Sequence, residues 1–174
     1  IALQAEVDFW NGASSATKTA VAALTPGTGQ GSVGAAEQTY VAAAPASLFD
    51  GIVTTLIYNS PNAATAAGVG ARVKVAGTTI TSSNIATEYA KLYAAIPAVL
   101  FNPAETGGDK PYIYAPYSHK QLINIFNVTA TYRDLFPVEP GTGKYFYNSV
   151  EIKFVPVPEN CMIVSLPNDL VWCT

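Results

Sequence analysis

Residues 144–154, with the sequence KYFYNSVEIKF, predict two strands joined by a turn. Residues 145–147 are all aromatic, and aromatic side chains are favoured in strands. From residue 150 to 154, apolar side chains alternate with charged ones, which is the pattern of a strand with one buried face. The stretch therefore indicates a sheet in the last third of the chain, to which residues 161–165 and 170–173 add two further predicted strands.

The segments that precede this sheet are mostly helical. The clearest predicted helix begins after the capping hydroxyls of residues 81–83 and ends at Pro97. Its apolar face is formed by Ile85, Tyr89, Leu92, Tyr93 and Ile96. Residues 98–101 then predict a buried strand, residues 112–114 predict another, and Ser118 opens a second helix.

The first part of the chain alternates between helical patterns and stretches of small residues. Residues 3–10 have apolar side chains at helical spacing and predict a helix end. Residues 13–34, rich in Ala, Thr, Ser and Gly, predict a mobile loop or extended connection. A helix is predicted from Leu48 to Ile57 with Ser47 as its N-cap, and residues 62–77 predict an exposed hairpin or loop.

Helices and strands follow one another without regular βαβ alternation. This order predicts an α+β fold in which a mixed or antiparallel sheet is flanked by helices.

The composition favours contacts between copies of the chain. Hydrophobic residues make up 49% of the 174 residues and charged residues only 12%, about half the usual charged share. The longest apolar runs are too short to cross a bilayer, so the sequence predicts no membrane partner and favours neighbouring protein as the cover for apolar surface. The nine basic residues are scattered, which leaves at most non-specific contact with nucleic acid.

The residues that commonly carry catalysis are sparse, and the sequence predicts no enzyme. His119 is the only histidine, it lies beside Ser118 at a predicted helix start, and it is expected to be a solvated first-turn residue. No G-x-S-x-G motif is present, and one histidine excludes the usual zinc sites. The sequence therefore predicts no catalytic residues, no metal ligands and no cofactor.

The carboxylates lack a recognisable sugar-binding context, and surface charge is their expected role. The acidic residues considered as candidates are Glu6, Asp8, Glu37, Asp50, Glu88, Asp109, Glu139, Glu151, Glu159 and Asp169.

A glycine-rich motif and a pair of cysteines both have a structural interpretation. Residues 29–34 match G-x-G-x-x-G, but they lack the preceding hydrophobic strand and following helix of a dinucleotide site, so a flexible loop is expected. Cys161 and Cys173 lie on either side of Pro167 in a predicted hairpin, where they form either a cross-strand disulfide or two buried free thiols.

The order of features in residues 45–174 resembles the C-terminal part of the HK97-like major capsid proteins of tailed bacteriophages. The matching segments are residues 111–114, the helix near 118–126, and residues 144–152, 155–158, 162–165 and 168–174, together with residues 48–52 and 9–12. The sequence departs from the family pattern in lacking the upstream arm, extended loop and spine helix, and in having Cys173 where a glycine is common.

The resemblance implies a C-terminal fragment of an HK97-like capsid fold with three parts. Residues 1–44 would be a peripheral helix end with a flexible connection, residues 45–155 an axial-type α+β domain, and residues 156–174 returning peripheral strands. The implied function is a structural subunit of a phage or prophage capsid in the virion, assembled in the bacterial host cytoplasm. The implied partners are copies of itself in pentamers and hexamers, portal or scaffolding protein, and non-specific nucleic acid on the inner face.

A second interpretation comes from the ten tyrosines. Aromatic faces stack on sugars, so the alternative function is a carbohydrate-binding or surface-binding module similar to an adhesin. The placement of the tyrosines on a predicted buried helix face and in predicted strands is against this, and packing in the core and between subunits explains them with no added assumption.

Overall fold

The computed structural model describes residues 2–24, 35–59, 79–104, 106–129, 135–159 and 161–167. The chain is divided into two compact units, Ile1–Gly77 and Thr78–Thr174. This division lies at a different residue from the boundaries at 44/45 and 155/156 that the resemblance implies. Helices occur in both units and the sheet in the second, which confirms the α+β class.

The first unit contains four helices: α1 (Ala2–Asn11), α2 (Ser15–Ala22), α3 (Ala35–Ala43) and α4 (Ile52–Asn59). The predicted helix end at Asn11 is confirmed. The prediction of a loop or extended connection after residue 13 is wrong where α2 forms. Ser14 caps α2 by accepting a hydrogen bond from the Thr17 amide through its hydroxyl. The alanines of α2 favour a helix intrinsically.

Helix α4 begins later than predicted. It starts at Ile52, so Ser47 is not its N-cap, and Leu48 and Phe49 lie outside the helix with exposed fractions of 100% and 45%. The physical reason is a close backbone approach. The Gly51 amide donates to the Gly12 carbonyl, and a Cβ atom on Gly51 would lie 2.7 Å from backbone atoms of residues 8, 11 and 12. Only glycine fits there, and the chain can become helical only after this contact.

The second unit consists of two α-helices, a short 3₁₀ helix and four strands. Their bounds are α5 (Ile85–Ala95), the 3₁₀ helix (Ala98–Phe101), β1 (Tyr112–Pro116), α6 (Tyr117–Thr129), β2 (Tyr145–Tyr147), β3 (Val150–Val155) and β4 (Ile163–Ser165). The sheet order is β2-β3-β1-β4. Strands β1 and β3 are parallel, and the two outer pairs are antiparallel, so the sheet is mixed as expected.

The predicted hairpin of residues 144–154 is confirmed. Asn148 and Ser149 both have positive φ values, 45° and 69°, as the two central residues of a type I′ turn do. Residues 137–139, which precede the hairpin in the chain, cover the free side of β2. The Phe146 amide donates to the Pro137 carbonyl at 3.0 Å, the Glu139 amide donates to the Lys144 carbonyl at 2.8 Å, and Val138 forms an isolated bridge with Tyr145.

The prediction of a buried strand at residues 98–101 is wrong. These residues form one turn of 3₁₀ helix, in which the Leu100 amide donates to the Pro97 carbonyl and the Asn102 amide to the Val99 carbonyl. Val99 is 51% exposed. A run of four apolar residues is compatible with a buried strand and with a helical turn, because it is too short for its periodicity to distinguish the two.

The core of the second unit lies on one face of the sheet. Its buried sheet side chains are Ile113, Ala115, Tyr145, Tyr147, Val150 and Ile152. They form one cluster with Ile85 and Tyr89 of α5, Ile123 of α6, and Phe136. Since side chains alternate along a strand, the opposite face carries Tyr112, Tyr114, Glu151 and Lys153.

Candidate functional site

His119 is fully buried, so the prediction of a solvated residue is wrong. It is the third residue of α6, on the same side of the helix as the buried Ile123. That side faces the core of the second unit, because Ile123 belongs to the buried cluster. The position at a helix start was predicted correctly, but no local pattern indicates which side of the first turn is covered.

Both ring nitrogens of His119 have hydrogen-bond partners. Nδ1 lies 3.2 Å from the Tyr89 hydroxyl, and Nε2 lies 3.0 Å from the backbone carbonyl oxygen of Glu159. A carbonyl can only accept, so Nε2 carries the proton and donates, while Nδ1 accepts from the Tyr89 hydroxyl. Burial lowers the pKa of His119 against opposing effects from the carbonyl and carboxylate of Glu159. The site therefore holds a neutral imidazole.

The neighbouring serine does not form a nucleophile and base pair with this histidine. The Ser118 hydroxyl oxygen is buried and has no hydrogen-bond partner in the part of the chain that is described. Both nitrogens of His119 are already engaged elsewhere. The arrangement can hold three segments together, but it lacks the geometry to activate a serine.

The candidate carboxylates mostly bind neighbouring donors. Asp50 accepts from the Ser14 amide and the Thr17 hydroxyl, and buried Glu88 pairs with Lys91 at 2.7 Å. Glu151 lies 2.5 Å from the Lys153 ammonium. Two more carboxylates accept hydrogen bonds from side chains: Asp8 from Gln4, and Glu139 from Thr142. Glu6 and Glu37 are partly buried on α1 and α3, Asp109 lies in a turn, and Glu159 is exposed. Asp169 lies outside the described residues. No group of three potential metal-ligating side chains occurs among the residues that are described.

Part of the glycine and cysteine predictions lies outside the described residues. The G-x-G-x-x-G run of residues 29–34 is among the undescribed positions, and the described elements on either side of it are helices α2 and α3. The expectation that no helix follows the glycines is therefore wrong, although the element before them is not a strand. Cys173 also lies outside the described residues. Cys161 has a free thiol, whose burial raises its pKa to about 12.

The tyrosines are divided between the two faces of the sheet. Tyr89, Tyr145 and Tyr147 belong to the core, where Tyr89 meets the Phe136 ring edge-on with ring centres 5.1 Å apart. On the opposite face, the rings of Tyr112 and Tyr114 are perpendicular with centres 6.3 Å apart. The Lys153 ammonium lies 4.8 Å from the centre of the Tyr112 ring, a cation–π distance.

The outer side of α6 carries exposed apolar side chains. Tyr117, Ile125 and Val128 are 54%, 50% and 77% exposed. At about 100° per residue, these three positions span an arc of about 80°, less than a quarter of the circumference. We call them the α6 stripe. The stripe lies opposite the buried His119 and Ile123, so α6 has apolar side chains on both sides.

Other large apolar side chains are exposed elsewhere in the described parts of both units. They are Leu48, Phe49 and Tyr58 in the first unit, and Val99, Phe101, Leu135 and Val138 in the second. Among the described residues, no helix is long and apolar enough to span a membrane.

Comparison with protein-family models, with curated proteins and with solved structures finds no match to this chain. The interpretation of its function therefore depends on its own residues and on the resemblance described above.

Proposed function

We propose that this chain is a structural subunit of a bacteriophage or prophage capsid shell, which assembles with copies of itself into capsomers that enclose the genome. The proposal implies that the chain has the fold of an HK97-like capsid protein and that it is located in the virion. The proposal draws on the order of sequence features in residues 45–174 and on the low charged fraction of 12%.

The observation that carries the proposal is the α6 stripe. Val128 is 77% exposed although it lies on a helix whose other side is in the core. Exposed apolar side chains that share one helix face favour association, because burying them removes apolar area from water. Heterologous contacts of this kind close into rings when the rotation between copies permits it.

The test is to place charge on the stripe. We expect Ile125→Glu with Val128→Glu to leave the helix content by circular dichroism unchanged and to abolish assembly, because two carboxylates would be buried at the contact. The control is Ala90→Glu with Ala94→Glu, which adds the same charge at exposed positions of α5. Sedimentation velocity and negative-stain microscopy give the readout.

The wild-type chain and the α5 control should form rings with five-fold or six-fold symmetry. A wild-type chain that stays monomeric at high concentration would contradict the proposal. So would a stripe variant that assembles like the wild type.

A second candidate function is carbohydrate binding, which one observation favours. Tyr112 and Tyr114 share the face of the sheet opposite the core cluster, and both are only partly buried. Their perpendicular rings do not make a flat platform for two successive sugars, which is why we rank this function second. If it holds, Tyr112→Ala should lose a glycan-array signal that Tyr117→Ala retains, whereas the same signal in both variants would exclude this face.

A further inference from the structure

The strongest unassigned feature of the second unit is the contact that His119 makes with two other segments. Tyr89 comes from α5, His119 from α6, and Glu159 from residues 156–159, which directly follow β3. We propose that this contact is an acid-sensitive lock, which holds residues 156–159 over α5 and α6 at neutral pH and releases them on acidification.

The lock depends on a neutral ring. In the neutral form, Nε2 donates to the Glu159 carbonyl and Nδ1 accepts from the Tyr89 hydroxyl, so every polar atom of the ring is satisfied without water. Protonation adds a proton to Nδ1, so that each of the two ring nitrogens carries one. The Tyr89 hydroxyl must then turn from donor to acceptor, and its own proton loses the ring as a partner.

The surroundings of the ring give an imidazolium little compensation. His119 and Tyr89 are both 0% exposed, and Tyr89 is packed against the rings of Phe136 and Tyr147. The first turn of a helix is also an unfavourable position for a cation.

Each of the three segments carries ionisable groups next to the residue that contacts the ring. Glu159 favours the charged form, and burial, which lowers the pKa of His119, outweighs it. On α5, Glu88 is paired with Lys91, and on α6 the neighbouring Lys120 is exposed. Tyr89 itself stays un-ionised, since burial raises its pKa further.

Hydration of the charged ring requires one of the three segments to move. Tyr89 is held in the aromatic cluster, and α6 is held by Ile123. Residues 156–159 belong to no helix or strand, and Glu159 at their end is exposed. Val157 is the one buried side chain of this segment. We expect this segment to be the one that opens, because it lacks the backbone hydrogen bonds of a helix, which hold the other two segments in place.

The direction of the pH dependence follows from the lowered pKa. The unfolded or opened chain binds a proton at an ordinary histidine pKa of about 6.5, whereas the closed form binds it only at lower pH. The closed form is thus fully favoured above about pH 6.5, and this contribution is lost as the pH falls toward the lowered pKa.

Two measurements on the full chain test the lock. The chain has one histidine, so a single imidazole resonance in NMR reports its pKa, which should lie below 6.5. Hydrogen exchange reports the opening at the Val157 and Cys161 amides, which donate to the Val155 and Pro158 carbonyls. After correction for intrinsic rates, their protection should fall from pH 7.5 to 5, because the opened form binds the additional proton more tightly than the closed form. The amide of Ile152 in β3 serves as the internal control.

Variants separate the lock from general acid effects. His119→Gln should make the protection of the two amides independent of pH in this range. Tyr89→Phe preserves the aromatic packing and removes only the hydroxyl, so it should lower the imidazole pKa further, because the protonated ring loses its acceptor at Nδ1 and hydrogen bonds to a charged group are the stronger ones. An imidazole that titrates at or above 6.5, or amide protection that falls equally in wild type and His119→Gln, would overturn the proposal.

Discussion

Asp50 links two parts of the first unit that are far apart in the chain. Its carboxylate accepts from the Ser14 amide at 2.7 Å and from the Thr17 hydroxyl at 2.5 Å. Both donors belong to the start of α2, where amides lack partners within the helix. Partial burial raises the pKa of Asp50, but these hydrogen bonds outweigh it and hold the pKa below its ordinary value.

We expect Asp50→Ala to lower the free energy of unfolding by about 2 kcal/mol at pH 7, because hydrogen bonds to a charged acceptor are lost. The matched control is Asp8→Ala, which removes the same charge and one exposed bond from Gln4, and should cost less than about 0.5 kcal/mol. Denaturant titration measures both values.

The pH dependence of the Asp50 effect has a definite sign. Because the pKa of Asp50 is lowered, its carboxylate stabilises the folded chain above the ordinary aspartate pKa of about 3.9. This stabilisation is lost as the pH falls further. The difference between wild type and Asp50→Ala should therefore shrink below about pH 4. An equal loss in both variants at pH 7 would show that the carboxylate of Asp50 is not an anchor for α2.

At the scale of elements, the parts predicted well are those with a long, regular pattern. The alternation of residues 150–154 predicted β3, and the apolar face beginning at Ile85 predicted α5. Two short segments were predicted wrongly, although the short strands β1, β2 and β4 were predicted correctly. Helix α2 lacks a strong apolar face and is fixed by contacts with Asp50, and residues 98–101 are too few for periodicity to decide their structure.

Single residues outside regular elements were the hardest to predict. Phe136 is fully buried between the rings of Tyr89, Phe126 and Tyr147, yet it belongs to no helix or strand. The burial of His119 was missed for a related reason. Its two partners are 30 and 40 residues away in the chain, and no local pattern records contacts of that separation. The candidate site was therefore less predictable than the fold.

At the scale of the whole molecule, the second unit has a core of its own. The buried cluster is drawn from Ile80 to Ile152 and includes both helices and the sheet. We expect a fragment of residues 78–174 to fold alone, since one continuous cluster supplies the cooperative unit. Thermal denaturation followed by circular dichroism should show a single sigmoidal transition.

The control fragment for this experiment is residues 98–174, which lacks α5 and with it Ile85 and Tyr89 of the cluster. It should show no cooperative transition. If residues 78–174 also unfold without cooperativity, the second unit depends on the first for its stability, and the division at residue 77 does not mark an independent folding unit.

The covering of β2 by residues 137–139 restricts how copies of this chain can join. An uncovered edge strand exposes amides and carbonyls on which a foreign strand can add, and it is a common origin of uncontrolled aggregation. Here the Phe146 amide and the Lys144 carbonyl are already bonded within the chain. A sister copy that approaches from this side must therefore recognise shape and side chains, and a continuous intermolecular sheet cannot extend from β2.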